Sequence, residues 1–162
     1  MWSAEADGTV AGRVLEALAG RGETLATAES LTGGLLAARL TDVPGASRSF
    51  VGGVVSYATR VKVSSLGVPP AVVEEHGVIS EECAVAMARG ARGRLEATWG
   101  LSTTGVAGPD RQEGRAVGTV WVAVAGPVGA TARLLALSGD RTAIREAACR
   151  EVLGLLADEL AE

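Results

Sequence analysis

Residues 24–34, TLATAESLTGG, carry a short apolar run into Ser30 and then into a pair of glycines. The run at residues 25–28 is short and stops before a glycine-rich turn, which is typical of a buried strand. Residues 35–40 continue as a helical pattern, which closes before the turn VPGAS at residues 43–47. The segment therefore predicts a strand, a turn and a helix, with Ser30 at the end of the strand.

Helices and strands alternate over the first two thirds of the chain, and a pair of strands precedes the last helix. Further helices are predicted over residues 10–19, 62–66, 70–75, 81–97 and 142–160, and further strands over residues 50–57, 99–103, 117–125 and 130–137. A glycine pair at residues 52–53 weakens its strand or marks a bulge. This order predicts an α/β fold, a three-layer α/β/α sandwich with a mixed sheet, as a single domain over residues 1–162.

The composition favours one domain with an aliphatic core. Of the 162 residues, 48% are apolar and only 3% are aromatic. The net charge of −4 argues against nucleic acid or an anionic membrane as partner, because such affinity comes from clustered basic side chains. No apolar run approaches the roughly 20 residues that span a bilayer, and the first residues lack the pattern of a signal peptide.

Cys83 and Cys149 are far apart and lie in apolar helical patterns. We therefore expect buried free thiols, consistent with a reducing cytoplasm. Two lone cysteines and one histidine cannot form a familiar zinc site, so the sequence predicts no metal.

Ser30 allows two interpretations. A serine at a strand-to-helix junction points its hydroxyl beyond the sheet edge, towards free N–H groups that could stabilise an oxyanion. Gly33 and Gly34 would let a substrate approach the main chain closely. In the alternative interpretation, Ser30 is only the N-cap of the following helix, a role for which serine is favoured.

A serine nucleophile needs a base. His76, the only histidine, occurs in EEHG, which is typical of a helix end beside a turn glycine, so a Ser-His-Asp triad is disfavoured. Lys62 is the only lysine, and a desolvated lysine can have its pKa lowered towards about 7, whereas arginine cannot. Tyr57, the only tyrosine, precedes it at a predicted strand end. Both side chains could reach one crevice, or they could be a surface charge and an edge aromatic.

Two more segments carry candidate polar groups. The loop TGVAGP at residues 104–109 follows a predicted strand and could cradle an anion, although a glycine turn alone is a weak signal. Arg141 and Arg145 lie one helical turn apart and could grip a phosphate, or they could pair with Asp140 and Glu146 at the surface.

These pieces, in this order, resemble the CinA C-terminal domain family. The resemblance is carried by the segments AESLTGGLLAARLTDVPGASRSFVGGVVSYATRVKVSSLGV, HGVISEECAVAMARG, TTGVAGP, VGTVWVAV and GDRTAIR, and it runs over about residues 24–162. Characterised members are nicotinamide-nucleotide amidohydrolases, or NMN deamidases. The resemblance implies an α/β/α sandwich that hydrolyses the carboxamide of nicotinamide mononucleotide in the cytoplasm, without metal or cofactor, to nicotinic acid mononucleotide and ammonia.

The resemblance also implies roles for individual residues. Ser30 corresponds to the proposed nucleophile, Lys62 to the base and proton shuttle, and Tyr57 to its companion in the active site. Arg145 is the stronger candidate of the two arginines. The implied contacts to the oxyanion or the substrate are Thr32, Gly33, Gly34, Thr104, Gly105, Arg141 and Arg145.

The chain departs from the family pattern at two places. Leu31 stands where cysteine is frequent, and we expect it to pack inward. The loop at residues 110–116 lacks the glycine pair and the proline of many members, which would alter substrate preference or activity if the loop borders the pocket. Two alternatives therefore stay open: a non-catalytic pyridine-nucleotide-binding module, or an amidase for another small amide. We expect a homo-oligomer, as is common for small enzymes.

Overall fold

A five-stranded mixed sheet organises the chain. In the computed structural model, which describes residues 9–162, the strands are β1 (Leu25–Glu29), β2 (Phe50–Val55), β3 (Trp99–Gly105), β4 (Thr119–Gly126) and β5 (Gly129–Ala136). Their order across the sheet is β2-β1-β3-β4-β5. Strand β1 runs parallel to both β2 and β3, whereas β4 is antiparallel to β3 and β5. The mixed sheet confirms the predicted α/β fold.

Helices cover both faces of this sheet. They are α1 (Val10–Arg21), α2 (Leu35–Thr41), α3 (Thr59–Leu66), α4 (Pro70–His76), α5 (Glu81–Arg94) and α6 (Arg141–Ala161), with a 3-10 turn at Ala46–Arg48. Helices α1, α2 and α6 pack together over one face, where they share the larger hydrophobic cluster. Helix α5 packs on the other face, with α3 and α4 against it. These are the three layers that the order of elements predicted.

The pattern of burial follows the position of each strand. Strand β1 is buried throughout, because it lies between two parallel neighbours and under helices on both faces. Strand β2 lies at an edge and alternates between half-buried and exposed residues. Its register with β1 shifts between Leu25 and Ala26, as the glycine pair suggested. A side chain on Gly53 would place its Cβ 2.1 Å from Thr27 Oγ1, so the strands require glycine there.

All the predicted elements within the described residues are present, but several ends differ. Strand β2 stops at Val55 instead of residue 57, which leaves Ser56 and Tyr57 in a loop. Helix α5 stops at Arg94 instead of residue 97, since Glu96 adopts a left-handed backbone with φ of 52°. Strand β3 extends to Gly105, because β4 pairs with it over that length.

Both cysteines are free and buried, as predicted. Burial raises the pKa of the Cys83 thiol to about 11 and that of the Cys149 thiol to about 12. Within residues 9–162, no helix is both long enough and apolar enough to cross a membrane.

Candidate active site

The turn at residues 30–34 leaves the carboxyl edge of the sheet between β1 and β3. The main-chain N–H of Ser30 donates to Thr103 O at 3.0 Å, and Gly33 N donates back to Ser30 O at 3.1 Å. Gly33 and Gly34 have φ of 58° and 105°, which are values that favour glycine over any other residue. The glycine pair therefore allows the tight turn that connects β1 to α2.

Glu29, and not Ser30, supplies the side-chain cap of α2. The Glu29 carboxylate accepts hydrogen bonds from Gly34 N at 3.2 Å, Leu36 N at 2.8 Å and Ala37 N at 3.1 Å. The Ser30 hydroxyl accepts from none of the N–H groups of residues 31–37. The structure thus decides against the interpretation of Ser30 as a cap. Glu29 lies six residues before Leu35, where α2 begins, so its position in the sequence did not indicate this role.

The Ser30 hydroxyl instead contacts the only lysine of the chain. Lys62 Nζ lies 3.0 Å from Ser30 Oγ, 2.7 Å from Ser56 O and 3.4 Å from Tyr57 O. The Lys62 side chain comes from the middle of α3 and is 1% exposed. Ser30 and Lys62 are therefore together, as the resemblance implied.

Burial lowers the pKa of the Lys62 amine below its ordinary value, and the Cys83 thiol and Glu113 carboxylate partly oppose that shift. None of the ion pairs among the described residues includes Lys62. A neutral amine has two N–H donors and one lone pair. The two carbonyls can accept the two N–H groups, which leaves the lone pair for the hydroxyl proton of Ser30. The arrangement can therefore remove that proton.

A cleft of about 360 Å³ opens beside this pair. Its wall consists of Ser30, Leu31, Tyr57, residues 105–112 and Arg141. Tyr57 is 62% exposed, and its hydroxyl accepts a hydrogen bond from Arg141 Nη2 at 3.1 Å. The phenol thus contacts Arg141, while Lys62 contacts only the main-chain carbonyl of Tyr57. Arg141 also donates to Gly108 O at 2.5 Å.

Arg145 does not line the cleft, in contrast to the preference for it over Arg141. Its guanidinium donates to Leu31 O at 3.0 Å through Nε and to Thr32 O at 2.8 Å through Nη2. One helical turn along α6 is enough to separate the two arginines, so they do not grip one group together. Arg145 fixes the turn after Ser30, and Arg141 faces the cleft.

The threonines of the predicted site are buried and bonded within the protein. A hydrogen bond of 2.8 Å joins the hydroxyls of Thr32 and Thr103, and the Thr104 hydroxyl donates to Val78 O at 2.7 Å. These bonds hold the ends of the strands to their neighbours. Of the predicted pair Thr104 and Gly105, Gly105, the last residue of β3, lines the cleft.

The expected oxyanion donors also change. Gly33 N and Gly34 N already donate to Ser30 O and Glu29 Oε1, respectively. The N–H groups of Leu31 and Thr32 have no acceptor within residues 9–162. Leu31 packs inward, as expected, with 4% exposure, and it also lines the cleft. The free donors therefore come directly after Ser30.

The loop that departs from the family pattern does border the cleft, through residues 110–112. Its Glu113 carboxylate accepts from Val78 N at 3.1 and 3.3 Å, which ties the loop to the start of α5. Nothing in the sequence pattern had indicated this tie. His76 lies at the end of α4 and outside the cleft wall, as its sequence context suggested.

A second cavity, of about 410 Å³, lies between α1, α2 and α6. It is lined mainly by apolar side chains, with the paired Arg39, Asp42 and Glu146 at its rim. It contains none of the predicted site residues, so the smaller cleft is the candidate site. Within residues 9–162, no three His, Cys, Asp or Glu side chains are grouped so that they could hold a metal ion.

Comparison with known proteins identifies the family. Residues 7–160 match the family model described as the CinA C-terminal domain. The chain belongs to this family. A CinA-like protein of Frankia casuarinae is 54% identical over 156 residues, which are 96% of this chain and 36% of that protein. A putative competence-damage inducible protein of Desulforamulus reducens is 47% identical over 142 residues, 88% of this chain and 34% of its own length. The chain thus spans about a third of the curated relatives that it matches.

Solved structures of this family match the whole domain. A CinA superfamily protein from Klebsiella pneumoniae superposes with a TM-score of 0.91 at 33% identity, over 94% of this chain and 96% of that one. The competence/damage inducible protein CihA from Agrobacterium tumefaciens gives a TM-score of 0.91 at 31% identity, over 100% and 99% of the two chains. These CinA neighbours share the three-layer α/β architecture.

Proposed function

We propose that this CinA-family domain is an amidohydrolase that converts nicotinamide mononucleotide to nicotinic acid mononucleotide and ammonia. The observation that carries the proposal is the 3.0 Å contact between Ser30 Oγ and the buried amine of Lys62. A hydroxyl beside a desolvated amine at a cleft is the arrangement that an activated serine nucleophile needs. The resemblance in sequence to the characterised deamidases supports the choice of substrate.

In the first step, neutral Lys62 takes the hydroxyl proton as Ser30 Oγ bonds to the carboxamide carbon. The electron pair of the C=O bond moves to its oxygen, which becomes an oxyanion. When the tetrahedral intermediate collapses, the C–N bond breaks and Lys62 gives its proton to the departing nitrogen. Ammonia leaves, and the nicotinoyl group stays on Ser30 as an ester.

In the second step, water attacks the ester carbon and Lys62 accepts a proton from that water. The bond between the carbon and Ser30 Oγ breaks, and Lys62 returns the proton to the serine oxygen. The product is first the carboxylic acid, and it gives its proton to water as nicotinic acid mononucleotide leaves as the carboxylate. Lys62 thus acts as base and acid in turn, a role for which a pKa lowered towards neutrality is suited.

The oxyanion needs N–H donors that are not already engaged. The N–H group of Leu31 meets this condition and belongs to the residue after the nucleophile, a position that supplies such a donor in other serine hydrolases. Arg145 holds the carbonyl of Leu31, so the N–H of Thr32, which belongs to the same peptide unit, faces the other way. We assign Leu31 N–H as the first donor.

The far side of the cleft suits the nucleotide part of the substrate. Arg141 supplies a guanidinium for a phosphate, and Tyr57 holds that guanidinium from the cleft wall. In this arrangement Arg141 acts mainly in substrate binding. A substrate bound by its phosphate brings only its carboxamide to Ser30.

A second candidate is a module that binds a pyridine nucleotide without hydrolysing it. The favouring observation is that residues 110–112 line the cleft and belong to the loop in which this chain departs from many family members. The same departure favours an amidase for another small amide. Both alternatives use the same cleft, so one set of assays separates them.

The test is to incubate the purified protein with nicotinamide mononucleotide and to follow ammonia and nicotinic acid mononucleotide together. We expect turnover by the wild type and by Ser64→Ala, which alters an exposed serine of α3, and none by Ser30→Ala. Turnover by Ser30→Ala at the wild-type rate would refute the mechanism. Calorimetric binding without ammonia would favour the module, and ammonia from other amides alone would favour a different substrate.

A further inference from the structure

Glu29 is a buried acidic side chain that the mechanism above does not use. It is 1% exposed, and its carboxylate accepts three main-chain N–H groups at the start of α2. No ion pair among residues 9–162 includes it. Its hydrogen bonds therefore all go to the N-terminus of one helix, where negative charge is favoured.

The position of these bonds matters for Ser30. The turn at residues 30–34 lies between β1 and α2, so Ser30 is five residues before Leu35, where α2 begins. The Glu29 carboxylate bonds across this turn to the first N–H groups of α2, which lack partners within the helix, and so ties the start of α2 to the end of β1. The turn that carries Ser30 is thereby held at both ends, with the serine hydroxyl 3.0 Å from Lys62 Nζ.

The main chain of Glu29 is joined to Lys62 as well. Glu29 O accepts from Ser56 N at 2.7 Å and from Ser56 Oγ at 3.1 Å. Ser56 O in turn accepts from Lys62 Nζ at 2.7 Å. Glu29 is thus bonded to the start of α2 through its side chain. Through its carbonyl it is bonded to Ser56, whose own carbonyl accepts from Lys62.

We propose that Glu29 is a positioning residue, whose carboxylate ties the start of α2 to the end of β1 and so holds the intervening turn in the shape that keeps the Ser30 hydroxyl on the Lys62 amine. This inference rests on the proposed function for its kinetic part only. Without the carboxylate, the start of α2 is no longer tied to the end of β1, the turn at residues 30–34 loses this support, and the nucleophile shifts away from its base. Substrate binding on the far side of the cleft does not depend on that contact.

The decisive variant is Glu29→Gln, which keeps the side-chain volume but replaces one accepting oxygen with an amide NH₂. The expected result is a fall in kcat on the order of 10- to 100-fold, the size of effect that a small misplacement of a reacting group produces, with KM unchanged. The matched control is Glu23→Gln at the other end of β1, where the carboxylate accepts from Trp99 Nε1 at 2.7 Å. That variant should lower thermal stability and leave kcat unchanged.

A second measurement needs no turnover. Because Lys62 is the only lysine, a protein grown on ¹³Cε-lysine shows a single labelled side chain by NMR. The Lys62 signal in Glu29→Gln should move towards its position in Ser30→Ala, since both variants take the hydroxyl from the amine. A fluorophosphonate probe should label Ser30 at least about 10-fold more slowly in Glu29→Gln. The Glu23→Gln control should match the wild type in both experiments.

The proposal is overturned if folded Glu29→Gln keeps the wild-type lysine signal and labelling rate and only unfolds at a lower temperature. Should Glu29→Gln fail to fold, Glu29→Asp, which keeps a carboxylate on a shorter side chain, is judged by the same two measurements. If the wild type releases no ammonia while the lysine signal still moves in Glu29→Gln, the proposed function fails and the positioning role stands.

Discussion

Glu29 and Lys62 flank Ser30 and are buried to the same degree, with 1% of each side chain exposed, yet their surroundings differ. Glu29 is held by three N–H donors at a helix start. Lys62 contacts two carbonyls and a hydroxyl, and it forms no ion pair within residues 9–162. Burying an ionisable group is costly unless its partners compensate for lost water. The comparison teaches that hydrogen-bond partners, and not burial alone, separate an anchoring side chain from a reactive one.

The largest expected effect comes from Lys62→Met, which removes the amine and keeps a long apolar stem. Ammonia release should fall on the order of 100- to 10,000-fold, the usual contribution of a positioned base. Thermal stability should stay the same or rise, because a desolvated amine is replaced by an apolar group. If folded Lys62→Met turned over near the wild-type rate, Lys62 would not be the reactive side chain of the two.

The pH dependence of stability gives the next effect. Since the pKa of Lys62 is lower in the folded chain than its ordinary value of about 10.4, the unfolded chain binds more protons between these two values. The contribution of Lys62 therefore makes the free energy of unfolding increase as pH rises through that window. Urea unfolding between about pH 7 and 10 should show this increase in the wild type relative to Lys62→Met. Parallel pH profiles for the two proteins would contradict it.

Arg141 and Arg145 of α6 sharpen the comparison with smaller effects. Arg145→Gln leaves the carbonyls of Leu31 and Thr32 without their donor, so kcat should fall about 10-fold with little change in KM. Arg141→Gln removes the guanidinium from the cleft wall, so KM should rise by about the same factor with little change in kcat. Steady-state kinetics with nicotinamide mononucleotide measures both. A higher KM in Arg145→Gln together with a lower kcat in Arg141→Gln would exchange the roles of the two residues.

The smallest effect is expected for Ser56→Ala. Its hydroxyl makes one of the two bonds from Ser56 to Glu29 O, so its loss should cost about 1 kcal/mol of unfolding free energy. The control is Ser49→Ala, because the buried Ser49 hydroxyl has no hydrogen-bond partner within residues 9–162. Urea unfolding should find Ser49→Ala as stable as the wild type or more so. Equal losses in the two variants would argue against a link through Ser56.

Much of this molecule was predictable from local pattern. Apolar periodicity and glycine turns indicated the order of helices and strands, and the resemblance joined Ser30 to Lys62. The sequence favoured Arg145 over Arg141 as a site residue, but it could not show that Arg141 lines the cleft while Arg145 holds the turn after Ser30, because that depends on how α6 packs. The sequence indicated no role for Glu29, since its three acceptor bonds exist only once α2 folds back against β1.

The amino-acid pattern was sufficient for the α/β class, the aliphatic core and a serine at a strand end, since each depends on neighbours within a few residues. Packing settled which side chain caps α2, which carbonyls receive the Lys62 amine and which N–H groups stay free. Those outcomes depend on contacts between residues far apart in the chain, such as Ser30 with Lys62. These contacts form because the carboxyl ends of β1 and β2 and the helix α3 that follows β2 lie together at one edge of the sheet.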